Sequence, residues 1–282
     1  MNQRKPLKEL NLLDKFLFDE AMDDPENVKT MLDIILSQNT NLKHPPQTEK
    51  EQRTSTDNRQ IRLDVYAIDE DDVIYEVEAQ KENTHNLPKR SRLYQGIIDS
   101  KLLPPGVVDF NLLNEVLIVL IMPFDLFGYG LYRYTFQMKC EEVPELKLDD
   151  GATRIFLNTR GKHPELVSPE LIELLKYMEH STDEVSEACE SKRIQEMHRR
   201  VCQIRASEKT EVKYMQSWEE RIMIKQEGIA EGRIEGEKAL LKNLIEKKMA
   251  KKYSAEQISA MLEVDVSEVE DIMKEIQNEK YL

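Results

Sequence analysis

The sequence predicts an α/β protein with a helical C-terminal extension. Three observations carry this. Two alternating segments, I-R-L-D-V-Y-A-I and V-I-Y-E-V-E-A-Q, flank a polar D-E-D-D turn at about 60–80, the pattern of a β-hairpin. A continuous apolar run, Val116 to Phe124, has the length and character of a central strand buried on both faces. Segments with three- and four-residue apolar spacing stand on either side of these strands, and from about residue 184 charged residues dominate to the end.

Taken in order, residues 7–37 read as helical. Leu12, Leu13, Phe16, Leu17 and Met31, Leu32, Ile35, Leu36 recur at helical spacing, and Asp24-Pro25-Glu26 has the form of a helix start. The stretch 38–58 is polar, contains Pro45-Pro46 and reads as a loop. After the hairpin, Leu87-Pro88 opens a helix through roughly Leu103, ended by Pro104-Pro105-Gly106. The apolar strand follows. Tyr132 to Cys140 alternates and reads as another strand, and Arg154 to Asn158 as a short one near the sheet edge. Ser168 to Tyr177 then makes a helix with an S-P-E-L start.

The region beyond 184 reads as helix without a compact core of its own. Gly228, Gly232 and Gly236 recur every four residues, a nearly straight stripe on a helix. Each glycine costs a helix about 1 kcal/mol, so the stripe fits either close approach of a second helix, from another subunit, or a frayed hinge. The last piece holds two short amphipathic helices with Ser254 and Ser267 as caps. Its rhythm is that of a helix-turn-helix, but S-E-V-E-D-I-M-K-E is too acidic for a good recognition helix.

The net charge of −14 argues against a simple electrostatic DNA-coating protein. It leaves room for a nuclease, whose metal centre needs acidic ligands. Cys140, Cys189 and Cys202 show no C-x-x-C spacing, so neither a zinc site nor a disulfide framework is expected, and a reducing cytoplasm fits. The start M-N-Q-R-K-P-L-K leads to no apolar h-region, so no signal peptide is expected. The run Val116–Phe124 is too short to span a membrane.

The chemistry concentrates in the hairpin. Side chains two apart on a strand share a face, so Arg62, Asp64 and Tyr66 group together, as do Glu76, Glu78 and Gln80. The opposite faces, with Leu63, Val65, Ala67 and Val73, Tyr75, Val77, Ala79, are the better core. Carboxylates gathered on one surface repel unless a cation lies between them, and oxygen ligands suit Mg²⁺ or Mn²⁺. Asp64 and Glu78 are the candidate metal ligands. Gln80 is the candidate for orienting a water or contacting the reacting oxygens, which makes Asp64, Glu78 and Gln80 the candidate catalytic set. The same pattern also fits an exposed hairpin with acids on its wet face. The helix after the E-x-Q strand carries Lys89, Arg90, Arg92 and Tyr94 in its first turns. Cations there run against the helix dipole, which points to phosphate contact or to pairing with Glu82 or the strand acids.

These residues resemble the PD-(D/E)xK nuclease family of transposases, the recombination-promoting nucleases (Rpn). The resemblance begins at L-L-D-K-F-L-F-D-E-A-M-D-D-P-E and D-I-I-L. It continues in R-L-D-V-Y-A-I-D, V-I-Y-E-V-E-A-Q and L-P-K-R-S-R-L-Y-Q. It extends through F-D-L-F-G-Y-G-L-Y-R-Y-T-F, C-E-E, I-F-L-N-T-R-G and the E-G-x-x-E-G-x-x-E-G tail. It implies a restriction-endonuclease-like core, a mixed sheet flanked by helices, that cleaves DNA with Mg²⁺ or Mn²⁺. By that pattern Asp64 and Glu78 are metal ligands, and Gln80 holds the place of the motif lysine. Asp14 matches an acidic position on the first helix, and Arg90 and Tyr94 match the helix after the motif. This chain departs from many members at Ala79, where they have Met, and at Leu93-Tyr94, where they have paired aromatics.

The expected organisation is a nuclease-like core at 1–182, a charged helical linker with the glycine-striped helix at 183–240, and a small helical segment at 241–282. The expected activity is Mg²⁺-dependent hydrolysis of DNA phosphodiesters by a cytoplasmic homo-oligomer, a dimer through its C-terminal helices. The alternatives are a nuclease fold serving as a binding or regulatory module, and RNA as substrate.

Overall fold

The computed structural model describes residues 4–52 and 61–279. Two compact units divide the chain, Met1–Tyr214 and Met215–Leu282.

The first unit is built on a six-stranded mixed sheet. Its strands are β1 (Gln47–Gln52), β2 (Ile61–Ile68), β3 (Ile74–Ala79), β4 (Val116–Met122), β5 (Arg133–Phe136) and β6 (Ala152–Asn158), in the spatial order β1-β2-β3-β4-β6-β5. The β3–β4 and β4–β6 pairs are parallel and the others antiparallel. The apolar run forms β4, between two parallel neighbours as its composition demands.

One sheet face packs against α1 (Lys15–Met22), α2 (Pro25–Leu36), α4 (Pro169–Glu179) and α6 (Lys192–Ala206). It presents Val65, Ala67, Tyr75, Val77, Val119, Ile121, Ile155 and Leu157 to them. The other face presents Ile74, Ile118, Leu120 and Phe156 to α3 (Leu87–Asp99), which buries Leu87, Tyr94, Ile97 and Ile98 there. A short helix, α5 (Asp183–Glu187), joins α4 to α6.

Several expectations are corrected. Residues 7–14 are not α-helix but a 3-10 turn at Leu7–Glu9 and the chain leading into α1, whereas the helix start read at Asp24-Pro25-Glu26 holds, with Asp24 accepting from the Glu26 N–H. The polar stretch 38–58 contains β1, an edge strand whose sequence Q-T-E-K-E-Q hides it from an apolar pattern; residues 53–60 lie outside the described ones. The strand read at Tyr132–Cys140 is limited to Arg133–Phe136 and forms the sheet edge, with β6 beside it, near the edge as expected.

The boundary expected at 182 falls inside the first unit. Ile194, Met197 and Val201 lie at helical spacing on α6 and are fully buried in the core, and Tyr214 packs on Phe16 with ring centroids 4.8 Å apart. The many charges of this region occupy the other faces of the helix. A chain ended after Tyr214 is therefore expected to melt cooperatively. A chain ended at residue 183 loses these four core side chains and Cys189, the large ones each worth about 2–5 kcal/mol, and should not fold. Circular dichroism melts of the two fragments check this.

The second unit has its own small core. It combines the later part of α7 (Glu208–Met249) with α8 (Ala255–Leu262) and α9 (Val266–Glu279), through Ile245, Ile258, Val269 and Ile276. Ser254 caps α8 in a capping box with Gln257, as expected. Ser267 is not a cap, because α9 already begins at Val266. The glycine stripe lies within one unbroken helix, exposed, with open space around Gly228, Gly232 and Gly236. Among the described residues no helix is long and apolar enough to cross a membrane.

Candidate functional site: a buried carboxylate cluster

The hairpin forms as expected, but its acids are not on a wet face. Asp64, Glu76 and Glu78 are 6%, 0% and 7% exposed. The reason is that β3 has a covered face on both sides: Glu76 and Glu78 stand beside Ile118 and Leu120 of β4, on the face that α3 covers.

Strict alternation also fails at one point on β2. Leu63 joins the α3-side cluster with Ile61 and Tyr66, whereas Val65 and Ala67 join the opposite cluster. The β1–β2 register pairs Val65 with Thr48 and Leu63 with Lys50, leaving Asp64 and Glu49 between. Glu49 has φ of 49°, a left-handed backbone. Asp64 thus sits at a local break in the ladder, where strands re-aim side chains.

Two cations enter the cluster from opposite layers. Lys15 of α1 places its Nζ 2.6 Å from Asp64 Oδ1 and 3.0 Å from Asp19. Arg90 of α3 donates from Nη2 to Glu78 Oε1 at 2.5 Å and to Gln80 Oε1. Both oxygens of Glu76 and Oε2 of Glu78 are buried with no hydrogen-bond partner. Orphaned buried carboxylate oxygens are costly, and they define where a further cation would be welcome.

The electrostatics agree. Burial pushes Glu78 up to about 7; the Arg90 charge opposes this and the Asp64 charge adds to it. Glu76 is raised well above the usual carboxylate range by burial and by the charges of Glu78 and Asp64. Asp19 is pushed up to about 7 by burial, which outweighs the favourable charge of Lys15. Burial alone would lower Lys15, but Asp64 and Asp19 hold it above its ordinary value. The metal-free cluster therefore resists full ionisation near neutral pH, and a divalent cation relieves that resistance.

Asp64 and Glu78 are brought together as expected. Gln80 joins them through Arg90, while its own Nε2 donates to the Glu82 carbonyl. Asp14 goes elsewhere: it accepts from Lys81, Lys5 and the Asn11 N–H. Burial raises Asp14, but the Lys81 and Asn11 hydrogen bonds and nearby lysine charges outweigh it and leave its carboxyl below the ordinary value. Arg90 is engaged by Glu78, the pairing alternative among the readings of the α3 cations. Lys89 and Arg92 are exposed and pair with no described residue. Tyr94 is buried with its ring 5.9 Å from the Arg90 guanidinium. Arg62, Lys89, Arg90 and Tyr94 help line a cavity of about 420 Å³ at the start of α3.

Sequence reasoning missed Glu76, Lys15 and Asp19. Glu76 was visible as a face-mate of Glu78, and Lys15 with Asp19 as an i,i+4 pair on α1. No family model, curated protein or solved structure matches the chain. What the geometry defines is a mixed α/β protein with a cluster of buried acids beside a basic cavity.

Proposed function

We propose that the protein is a divalent-metal-dependent endonuclease with a restriction-endonuclease-like core, hydrolysing DNA phosphodiester bonds at the Asp64–Glu78 cluster. The observation that carries this reading is the set of buried carboxylates with orphaned oxygens, next to a cavity lined by Arg62, Lys89 and Arg90. Asp64 and Glu78 would hold Mg²⁺ or Mn²⁺, with Glu76 adding negative charge nearby, and the ion would supply an activated water and polarise the phosphate. Lys15 and Arg90, paired with Asp64 and Glu78, are the cations that would face the phosphate if those acids ligated an ion. Lys89 and Arg92 hold the DNA backbone. Gln80 positions Arg90 beside the reacting phosphate. Supercoiled plasmid incubated with Mg²⁺, Mn²⁺ or EDTA tests the proposal: nicking with metal and none with EDTA is expected, and intact plasmid in all three removes it.

Pairing of Lys15 with Asp64 and of Arg90 with Glu78 favours a second reading, a binding or regulatory module whose acids are already neutralised. The two readings differ in the plasmid assay, and a folded RNA in the same assay distinguishes the substrates. Gln80→Ala is expected to slow cleavage about 10²-fold, the usual effect of removing one polar group aimed at a reacting centre. Gln80→Lys restores the motif lysine but cannot accept from Arg90, so it should retain cleavage through the ammonium's own contact with the phosphate. A wild-type rate for Gln80→Ala would make Gln80 a bystander. Self-association through the exposed glycine-striped part of α7 belongs to the same proposal, and light scattering of the chain ended after Tyr214 checks it.

A further inference from the structure

A second cluster of metal-type ligands lies within the first unit, formed by residues the nuclease reading does not use. His198 and Cys202 stand one helical turn apart on α6, and Asp183 opens α5. His198 Nε2 is 2.8 Å from Asp183 Oδ1 and 3.4 Å from Cys202 Sγ, and the sulfur is 3.9 Å from the same Asp183 oxygen. Among the described residues this is the group of His, Cys, Asp and Glu whose ligand atoms all close within 4.8 Å of one another.

The shape of the triangle fits a small ion. Zinc bonds nitrogen and oxygen at about 2.0–2.2 Å and thiolate sulfur at about 2.3 Å, so in a tetrahedral site these ligand atoms stand roughly 3.3–3.6 Å apart. The 3.4 Å edge already lies in that range, and the 2.8 Å and 3.9 Å edges reach it with shifts of at most about 0.5 Å. Asp183 lies at the exposed end with its side chain 84% open, which leaves an entry path and a fourth position for water. A thiolate and a carboxylate neutralise a divalent charge, and imidazole completes a donor set that favours zinc over magnesium.

The inner side is organised in the way a ligand imidazole requires. The hydroxyl of Tyr177, a fully buried residue on α4, lies 3.0 Å from His198 Nδ1. With Nδ1–H donating to that oxygen, a metal ion can take the place of the proton that Nε2 shares with Asp183, 2.8 Å away. The same contacts exclude a nucleophile triad. There, the cysteine and the aspartate would use different ring nitrogens; here both approach Nε2.

We propose that Asp183, His198 and Cys202 form a zinc site with three protein ligands and a water, oriented by Tyr177 and tying the start of α5 to α6. It is separate from the carboxylate cluster and does not depend on the nuclease reading.

Cobalt titration of the full chain, stripped of metal, tests it. The wild type is expected to take up Co²⁺ with a thiolate-to-metal charge-transfer band and the visible bands of tetrahedral cobalt, both lost when Zn²⁺ is added. Cys202→Ala should lose the charge-transfer band while melting cooperatively, because Cys202 is only partly buried. Tyr177→Phe, which keeps the core ring, should weaken Zn²⁺ binding about 10- to 100-fold. The Asp64→Asn, Glu78→Gln double variant should keep the band. No band in the wild type, a band that survives Cys202→Ala, or loss of the band in the double variant would each overturn the assignment.

Discussion

Glu78→Gln, purified and mixed with supercoiled plasmid and Mg²⁺, is expected to leave the plasmid uncut, and Asp64→Asn likewise. Each change keeps the side-chain volume and removes one of the two anionic ligands proposed for the metal. The loss should be at least about 10²-fold, the scale for deleting one group that stabilises charge in the transition state. The fold should survive, because these acids are sources of strain. Glu78 is held at about 7 by burial against the opposing Arg90 charge, and the carboxyl oxygens of Glu76 beside it accept no hydrogen bond among the described residues. An amide at position 78 cannot ionise and relieves Glu76 of a like charge. The metal-free variant is therefore expected to melt at or above the wild-type temperature at pH 8. Cleavage at the wild-type rate by a well-folded Glu78→Gln would remove the cluster from the reaction.

The second large effect links pH, metal and stability. Glu78 has a folded pKa of about 7 against an ordinary 4.5, and Asp19 about 7 against 3.8. Between those limits the native chain keeps protons that the unfolded chain has released. From these two groups, stability of the metal-free protein must then fall as pH rises from about 4 to about 7, and Glu76, raised well above the ordinary carboxylate range, adds to the same fall. The carboxylates shifted the other way, Asp14 and Glu179 among them, lose their contribution only below the ordinary carboxylate range, so they do not mask this window. Mn²⁺ competes with the protons. At pH 8, with the ion at about a hundred times its Kd, it should add about 2.7 kcal/mol, or roughly 5–10 °C in melting temperature. At pH 5 the gain should nearly vanish. Calorimetric scans at the two pH values, with Mn²⁺ and with EDTA, measure both slopes. Equal Mn²⁺ effects at pH 5 and pH 8 would place the ion elsewhere.

Much of the sheet was legible because its strands carry local signals. The run V-L-I-V-L-I-M can only be a doubly covered strand, and the D-E-D-D turn fixes the β2–β3 hairpin. Helix starts were legible where a capping side chain stands in the sequence, as at Ser168 and Ser254. β1 was not legible, because an edge strand need not be apolar. α6 was misassigned because three core residues among many charges look like a solvated helix until a partner face is known. For the site, periodicity placed Glu76 and Glu78 on one face but could not say that α3 covers it. Lys15 lies 49 positions before Asp64, and a contact of that kind has no local trace. Asp64 leaves the alternation at a backbone break on the neighbouring strand, which no pattern within β2 records.

The counter-charges of the cluster come from opposite sides of the sheet, Lys15 from α1 and Arg90 from α3. Sealing an ionised acid before its cation arrives would cost several kcal/mol. Each helix brings the cation for the acid it covers, Lys15 for Asp64 and Arg90 for Glu78, so either layer can dry over the hairpin with its own charge already matched. The two faces of the sheet share no apolar cluster, and Glu76, whose carboxyl oxygens neither cation reaches by a hydrogen bond, is the acid whose charge such closure leaves unmatched.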